Sequence, residues 1–381
     1  MITNLHFKNF TAFTELTMDF SPGINIIIGD NGTGKTQLLK AILALCGPEV
    51  RADQPSEQLA SKLCRLYQPL SGKVGELRRS GARGEAMLHA EFAQGQQLTV
   101  RFNGGASAVK IPTALGPAIA PATFLPTKEV LSLVRGLTAE QSDLASIERI
   151  FDDGYLDLAK QLTKEGVEDL RSKVQLNPRF SNIVPRLANL IGGQYLLDSG
   201  RFVFQSGRYE ERNAPSHSRG RHAQMYQDST EWKFIPASKK HLSSTMTAEG
   251  FRKIGVLQRL LSNGSLNPGT AGPLLWDEPE SNLNPKLMKD LVQILLEIAR
   301  NGQQVILATH DYVLLKWFDL LMDKDKGDEL LFFSLYRDAA THKVMSTRTD
   351  DYLSITPNPI DDAFGYLINQ EIENDMGGLG K

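Results

Sequence analysis

Residues 29–36, Gly29-Asp30-Asn31-Gly32-Thr33-Gly34-Lys35-Thr36, satisfy the spacing G-x-x-x-x-G-K-[ST]. Glycines at such positions allow a tight loop whose backbone N–H groups converge on phosphate oxygens. The lysine can reach the terminal phosphates, and the final hydroxyl is a ligand for a hard cation. Asn31 and Thr33 fill variable positions, and Gln37 follows directly. The bland alternative is a chance glycine-rich turn, and the flanks argue against it. An apolar run, Ile24 to Ile28, leads into Gly29, and KTQLLKAILALCG has helical spacing from Lys35 until Gly47-Pro48 stops it. Strand, loop and helix in immediate succession are what a nucleotide phosphate site requires.

A second chemical signal lies far downstream. Gly272-Pro273-Leu274-Leu275-Trp276-Asp277-Glu278-Pro279 reads as an apolar strand that delivers two acids at its C-terminal end, where open α/β sheets bind ligands. Asp277 suits the hydration shell of magnesium beside Thr36, and Glu278 suits a general base for an attacking water. Val305-Ile306-Leu307-Ala308-Thr309-His310-Asp311 repeats the arrangement and presents His310 to a γ-phosphate or a water. Adjacent acids after a strand are often plain turn residues, and a lone strand-end histidine is more often structural. The upstream phosphate loop, and the single helix and strand separating the two segments, favour chemistry.

The elements that must hold these residues are legible as an alternation. Residues 2–10 and 13–20 alternate as half-buried strands. A helix is expected over 56–69, and strands over 85–93, 97–103 and 107–111, which with the first two make an antiparallel β subdomain. Residues 138–192 read as mostly helical, without the sustained heptads of a coiled coil. Ser206 to Ser229 lacks periodicity and reads as a mobile loop between strands near 195–204 and 231–236. From 250 the pattern is helix 250–262, strand 273–277, helix 285–300, strand 303–309, helix 311–323 and strand 330–336, with a last helix over 359–375. That series implies a mostly parallel sheet flanked by helices.

Composition sets limits. The 381 residues carry 41% hydrophobic and 23% charged side chains, ordinary for a globular chain with a substantial core. A formal charge of -2 excludes wholesale coating of nucleic acid or anionic lipid and leaves only local basic patches. Cys46 and Cys64 lack zinc-ligand spacing and read as buried thiols of a reducing compartment. No segment has the length of a membrane span, so a cytoplasmic location without membrane contact is expected.

In this order the pieces resemble the ABC-type P-loop ATPases of the RecF, OLD and SMC branch, and the compact AAA-family ATPase subunits of bacterial anti-phage and DNA-maintenance systems. LHFKNFTAFTELTMDFSPGINIIIGDNGTGKT is similar to the opening strands and phosphate loop, LLWDEPESNLNP to the acid pair and following dimer loop, and LATHD to the switch-histidine segment. The resemblance implies an α/β ATPase head of 1–137 and 241–381, interrupted by a mostly helical insertion at 138–240. It implies ATP and magnesium as ligands, Lys35, Glu278 and His310 as catalytic residues, and Thr36 and Asp277 at the metal. It also implies a homodimer or larger even assembly sandwiching ATP, with Ser281, Asn282, Leu283 and Asn284 at the seam. The signature segment corresponds to LSSTMTAEG at 242–250, which departs from the usual form: Ala248 stands where a serine is expected. Thr247 or Ser244 then become the hydroxyl donors, with Glu249 and Gly250 beside the partner's nucleotide. PTKEVLSL at 126–133 is similar to the Q-loop region but holds no glutamine, and Lys128 and Glu129 stand as substitutes.

Other signals are weaker. Arg201, Arg208, Arg212, Arg219 and Arg221 with Phe202, Phe204 and Tyr209 could grip DNA, but Glu210 and Glu211 interrupt the charge and favour a solvated loop. The run Asp323 to Glu329 lacks calcium-loop spacing and reads as solvated. The chain after it is too short for the nuclease domain of OLD-like proteins, so a nuclease or toxin effector is expected on a separate chain. Phe364, Tyr366, Leu367 and Ile372 on the last helix are expected to cover the core, the alternative being to dock such a partner. The functional expectation is an ATPase whose closure and opening control an effector or a DNA contact. The rival is a slow ATP-gated scaffold that sequesters its partner, and a transporter ATPase fits poorly.

Overall fold

The computed structural model describes residues 1–51, 53–111, 119–138, 147, 150–164, 182–212, 231–267 and 270–377. The chain opens with β1 (Ile2–Phe10) and β2 (Phe13–Asp19), an antiparallel pair whose alternating residues are buried, as their sequence pattern requires. The phosphate-loop strand β3 (Ile24–Gly29) leads to helix α1 (Lys35–Leu45), and α2 (Pro55–Tyr67) follows. β4 (Ala86–Phe92) and β5 (Gln97–Phe102) complete a four-stranded sheet of order β2-β1-β4-β5. The expected strand at 107–111 is not formed: Lys110 makes one isolated bridge to Arg101, and Val109 N–H donates to Ser56.

Next come β6 (Thr123–Leu125), the single turn α3 (Val134–Leu137), α4 (Asp153–Thr163) and α5 (Ile183–Ile191). The helical expectation for 138–192 thus holds at α4 and α5, while residues 165–181 and most of 139–149 lie outside the described residues. The single strand expected near 195–204 is a hairpin, β7 (Gly193–Asp198) and β8 (Arg201–Arg212). Its turn, Ser199-Gly200, has φ of 50° and 74°, the two positive values that a tight twisted hairpin demands. β8 pairs along residues 207–212 with β9 (Glu231–Pro236), so the front of the expected loop is strand. Arg219 and Arg221 lie outside the described residues, and Arg208 is paired with Glu210 at 2.6 Å. The two-residue β10 (Leu242–Ser243) borders β8.

Helix α6 (Glu249–Ser262), β11 (Leu274–Asp277), α7 (Met288–Arg300), β12 (Val305–Ala308), α8 (Tyr312–Leu321), β13 (Leu330–Arg337), β14 (Val344–Thr349) and α9 (Pro359–Gly377) finish the chain. The central sheet runs β14-β13-β3-β12-β11-β6, parallel except for β14. It is covered on both faces. Ile26, Ile28, Trp276, Leu307 and Phe332 face a core built by α4 to α8, whereas Ile27, Leu275, Ile306 and Phe333 face α1, α2 and the antiparallel sheet. That double burial is why INIIIG and VILA are continuous apolar runs rather than alternating ones. The described parts of residues 138–240 share the first of these cores: Leu156, Leu187, Tyr195 and Phe204 are buried in it.

Three features differ from expectation. β14 is an edge strand with Val344 buried and Met345 exposed; its polar sequence carries little strand signal. Ile360 at the start of α9 is buried in the core, but the four apolar residues expected to cover it do not: Phe364 stacks on Tyr312 at 4.3 Å, and Tyr366, Leu367 and Ile372 are exposed. Asp328, in the expected solvated loop, is bound by Arg300 through two bonds of 2.6 Å. Among the described residues, no helix is long and apolar enough to cross a membrane.

Gln304 ties the sheets together. Its side chain accepts from Ile2 N–H (2.9 Å) and donates to the carbonyls of Ile2 and Ser21 (2.8 Å each), all deep in the protein. Leucine there would take this partner from the Ile2 N–H and carbonyl, while the Ser21 carbonyl keeps its bond from Asn25 (3.0 Å). Gln304→Leu is expected to lower the unfolding free energy by about 3 kcal/mol, measured by urea denaturation. A loss below about 1 kcal/mol would mean that water replaces the amide.

Candidate active site

The phosphate loop folds as its glycines dictate. Gly29, Gly32 and Gly34 have φ of 144°, 79° and 99°, a region that other residues enter only with strain. A Cβ on Gly29 would lie 2.1 Å from the Leu335 carbonyl oxygen, and one on Gly34 would lie 2.7 Å from the Phe13 ring, so backbone and core close around the loop. Asp30 turns its carbonyl inward to Thr33 Oγ1 (2.8 Å) and Lys35 Nζ (3.2 Å); Lys35 also donates to Gly29 at 2.5 Å. Burial pushes the Lys35 ammonium below its ordinary value, against the support of Asp277, Glu278 and Asp30. Gly34 caps α1 without a side-chain hydrogen bond, leaving first-turn N–H groups uncommitted to any capping side chain. Asn31 and Thr36 are exposed at this rim, and Gln37 is half-buried.

The sheet brings the distant acids here. Asp277, level with Ala308 and thus with Ile27 in the ladder, lies beside the loop, and its Oδ2 accepts from Thr36 Oγ1 at 2.8 Å. Burial raises the Asp277 carboxyl, with the Thr36 hydrogen bond opposing. A hydroxyl and a buried carboxylate converging in this way are the oxygen donors that a hard divalent cation takes, so Thr36 and Asp277 fit magnesium. Glu278 sits on a left-handed backbone, φ 49°, a conformation that costs about 1 kcal/mol or more for a residue with a Cβ. Three hydrogen bonds hold it: its N–H to Ala308 (2.8 Å), and its carbonyl from Ser281 N–H (3.1 Å) and Lys253 Nζ (2.9 Å). The half-buried carboxylate lies 3.2 Å from His310 Nδ1.

Several neighbours escape a reading of motifs. Thr127 donates to Asp277 Oδ2 at 3.2 Å, and it rather than Lys128 or Glu129 meets the acid from the Q-loop-like segment. Lys128 is exposed, while the buried Glu129 binds Ser132 and Arg252 (2.9 Å). Arg337 donates to the Gly32 carbonyl at 2.8 Å. Glu280 is buried under His310, and Lys253 is buried under Glu278. Of these, only Glu280 had a visible signal, its place two residues after Glu278.

The signature-like residues lie apart from the loop and pack on the segment after the acids. Glu249 accepts from Asn282 (2.8 Å), and a Cβ on Gly250 would lie 2.6 Å from the Asn282 carbonyl oxygen. Neither proposed hydroxyl donor is turned outward. Thr247 Oγ1 is held by Tyr195 OH and by the Ser244 carbonyl, each at 2.6 Å, and Ser244 is buried. Of the expected seam residues, Asn282 and Asn284 are exposed and Leu283 is buried.

A phosphate loop between strand and helix, facing an acid pair on a doubly covered parallel sheet, defines a P-loop ATPase head. Two family models match the chain, one described as an AAA domain over residues 4–173, the other as an AAA domain, putative AbiEii toxin, Type IV TA system, over 155–316. Relatives called DNA replication and repair protein RecF are 26% identical over 187 residues in Bifidobacterium longum subsp. infantis (48% of this chain, 42% of that one). The Magnetococcus marinus relative of that name is 33% identical over 134 residues (35% and 32%). The chain thus spans less than half the length of these curated relatives. A solved SMC head bound to the C-winged helix domain of ScpA superposes with a TM-score of 0.50 at 15% identity, covering 93% of this chain and 98% of that one, a likeness of fold. The chain is thus similar in sequence to AAA domains and, over part of its length, to RecF, and it has the fold of an SMC head.

Lys253 offers a pH test of this geometry. Burial pushes its ammonium from an ordinary 10.5 down to about 8, despite Glu280, Glu249, Glu278 and Asp277. Between those values the unfolded chain holds more protons than the folded one, so this group makes stability rise with pH. Lys253→Met removes the rise. The urea midpoint of wild type is therefore expected to gain on that of the variant from about pH 7.5 to about pH 9.5; a constant difference would show that the amine does not titrate there.

Proposed function

We propose that the chain binds ATP with magnesium through residues 29–37 and hydrolyses it, Glu278 acting as general base with His310 beside it. The observation that carries this is the convergence of Thr36, Asp277, Glu278 and His310 at one rim of the sheet, through contacts of 2.8 and 3.2 Å. Lys35 and the loop N–H groups would bind the phosphates, and Glu278 would take the proton of a water aligned on the γ-phosphorus. Magnesium, held by Thr36 and Asp277, would neutralise charge on the phosphate oxygens. The hydrolysis step ends the γ-phosphate contacts and so shifts the balance between closed and open states.

We assign 138–240 as an insertion in a head formed by 1–137 and 241–381, working as a homodimer or larger even assembly. The uncapped start of α6, at Glu249 and Gly250, would give backbone N–H groups to a partner's phosphate. The RecF relatives support a role in DNA maintenance, and the toxin-linked family description supports control of a separate nuclease or toxin in anti-phage defence. A cytoplasmic location agrees with either. One observation favours the rival, a slow ATP-gated scaffold: Ala248 stands where a serine is expected and Thr247 is engaged within the chain, which weakens contacts in trans.

Steady-state ATP hydrolysis, alone and with single-stranded or duplex DNA, separates these. Lys35→Ala is expected to lose nucleotide binding. Glu278→Gln is expected to bind ATP but to lose turnover by about a hundredfold or more and to accumulate dimers on size exclusion. Turnover retained by Glu278→Gln would remove the base assignment. DNA stimulation supports maintenance, and binding without hydrolysis in the wild type supports the scaffold.

A further inference from the structure

The acid pair is followed by a third carboxylate that the scheme above does not use. Glu280 is 8% exposed, yet its Oε1 accepts from the Thr309 hydroxyl (2.8 Å) and from His310 N–H (3.2 Å). The same oxygen lies 3.6 Å from His310 Nδ1, which also lies 3.2 Å from Glu278 Oε1. The second oxygen, Oε2, is buried without a hydrogen-bond partner among the described residues. Glu280 is also the acid whose charge most supports the buried Lys253. A packing role alone would be met by an apolar side chain without an orphaned oxygen.

An ionised carboxylate oxygen only accepts hydrogen bonds. A ring nitrogen facing two of them is therefore the one that carries hydrogen, and in the neutral ring the lone pair lies on Nε2. From this geometry we propose that Glu280 is a positioning residue for ATP hydrolysis: it holds His310 as the Nδ1–H tautomer, with Nε2 as the atom offered to water or nucleotide. The proposal rests on the hydrolysis reading. Glu278 alone would hold the ring poorly, because the base must be free to engage the water. Glu280 holds the histidine's backbone N–H, places its charge 3.6 Å from the ring nitrogen, and fixes the end of β12 through Thr309. The tautomer sets the chemistry: a neutral Nε2 accepts from a water O–H and repels a phosphate oxygen, which it can contact only after taking a second proton.

The test has two arms. Glu280→Gln keeps an oxygen for Thr309 and the His310 N–H but loses the charge. We expect kcat to fall about tenfold or more with KM for ATP nearly unchanged, a split that loss of a merely structural contact would not give. Glu280→Asp is expected to recover part of kcat. Independently of turnover, long-range ¹H–¹⁵N correlation spectra of ¹⁵N-histidine-labelled protein, with the signal assigned by its loss in His310→Gln, are expected to show Nδ1–H in the wild type and a mixed or reversed tautomer in Glu280→Gln. Wild-type kcat in Glu280→Gln, or an Nε2–H tautomer in the wild type, would overturn the proposal. If the variant does not fold, the wild-type spectrum still decides the tautomer. A wild type with no hydrolysis would sink the hydrolysis reading, and with it the kinetic role, while the spectrum reports on the histidine separately.

Discussion

Parallel pairing of β3 with β12, and of β12 with β11, is the constraint on which everything else depends. Pairing of Ile27 with Ala308, and of Ala308 with Asp277, sets three strands far apart in sequence in one register. Because parallel strands all end at the same edge, the phosphate loop, the acids and the histidine emerge together. A slip of one residue would invert every side chain on the strand, sending Asp277 and Trp276 to each other's faces. Burial of both faces forbids it: Ile26 and Ile27 belong to different cores, and each is fully enclosed.

The rim that results concentrates charge in poorly solvated surroundings. Asp277, Glu280, Lys35 and Lys253 are all buried, and burial opposes the charged form of each. Such an arrangement persists because the groups compensate one another and because backbone partners hold them; removing one member leaves the others exposed to the desolvation cost. The strained backbone at Glu278 belongs to the same economy of contacts. Its carbonyl is directed at Lys253 of α6 and its amide at β12, so the position of this carboxylate is tied to two elements at once.

Helix α6 has a corresponding double attachment. Arg252 reaches Glu129 in the segment after β6, and Lys253 reaches Glu278 after β11, so adjacent side chains join one helix to two strand exits. The N-terminal turn of that helix packs on Asn282. The signature-like segment is therefore in mechanical contact with the loop after the acids of its own chain, even though the Ser244 and Thr247 hydroxyl groups are turned inward.

Much of the head was legible because its signals are local. Glycine φ values, the lysine and hydroxyl of the loop, and apolar runs ending in Asp277 or His310 are properties of short segments, and each is where its spacing implies. The misses share a cause. Residues 107–111 have strand-like sequence but find no partner beyond one bridge, and polar β14 becomes a strand because β13 offers it an edge. Ser206 to Arg212 looks irregular yet pairs with β9. The apolar stripe on α9 promised core packing, but helix placement left it outside. By itself the sequence determined where the loop and the acids lie and which polar groups they carry, since residue type and spacing suffice for that. Only tertiary structure decided that Thr127, Lys253, Glu280 and Arg337 join them, because each is distant in sequence from the group it touches or has no motif of its own, and burial gives its contact meaning.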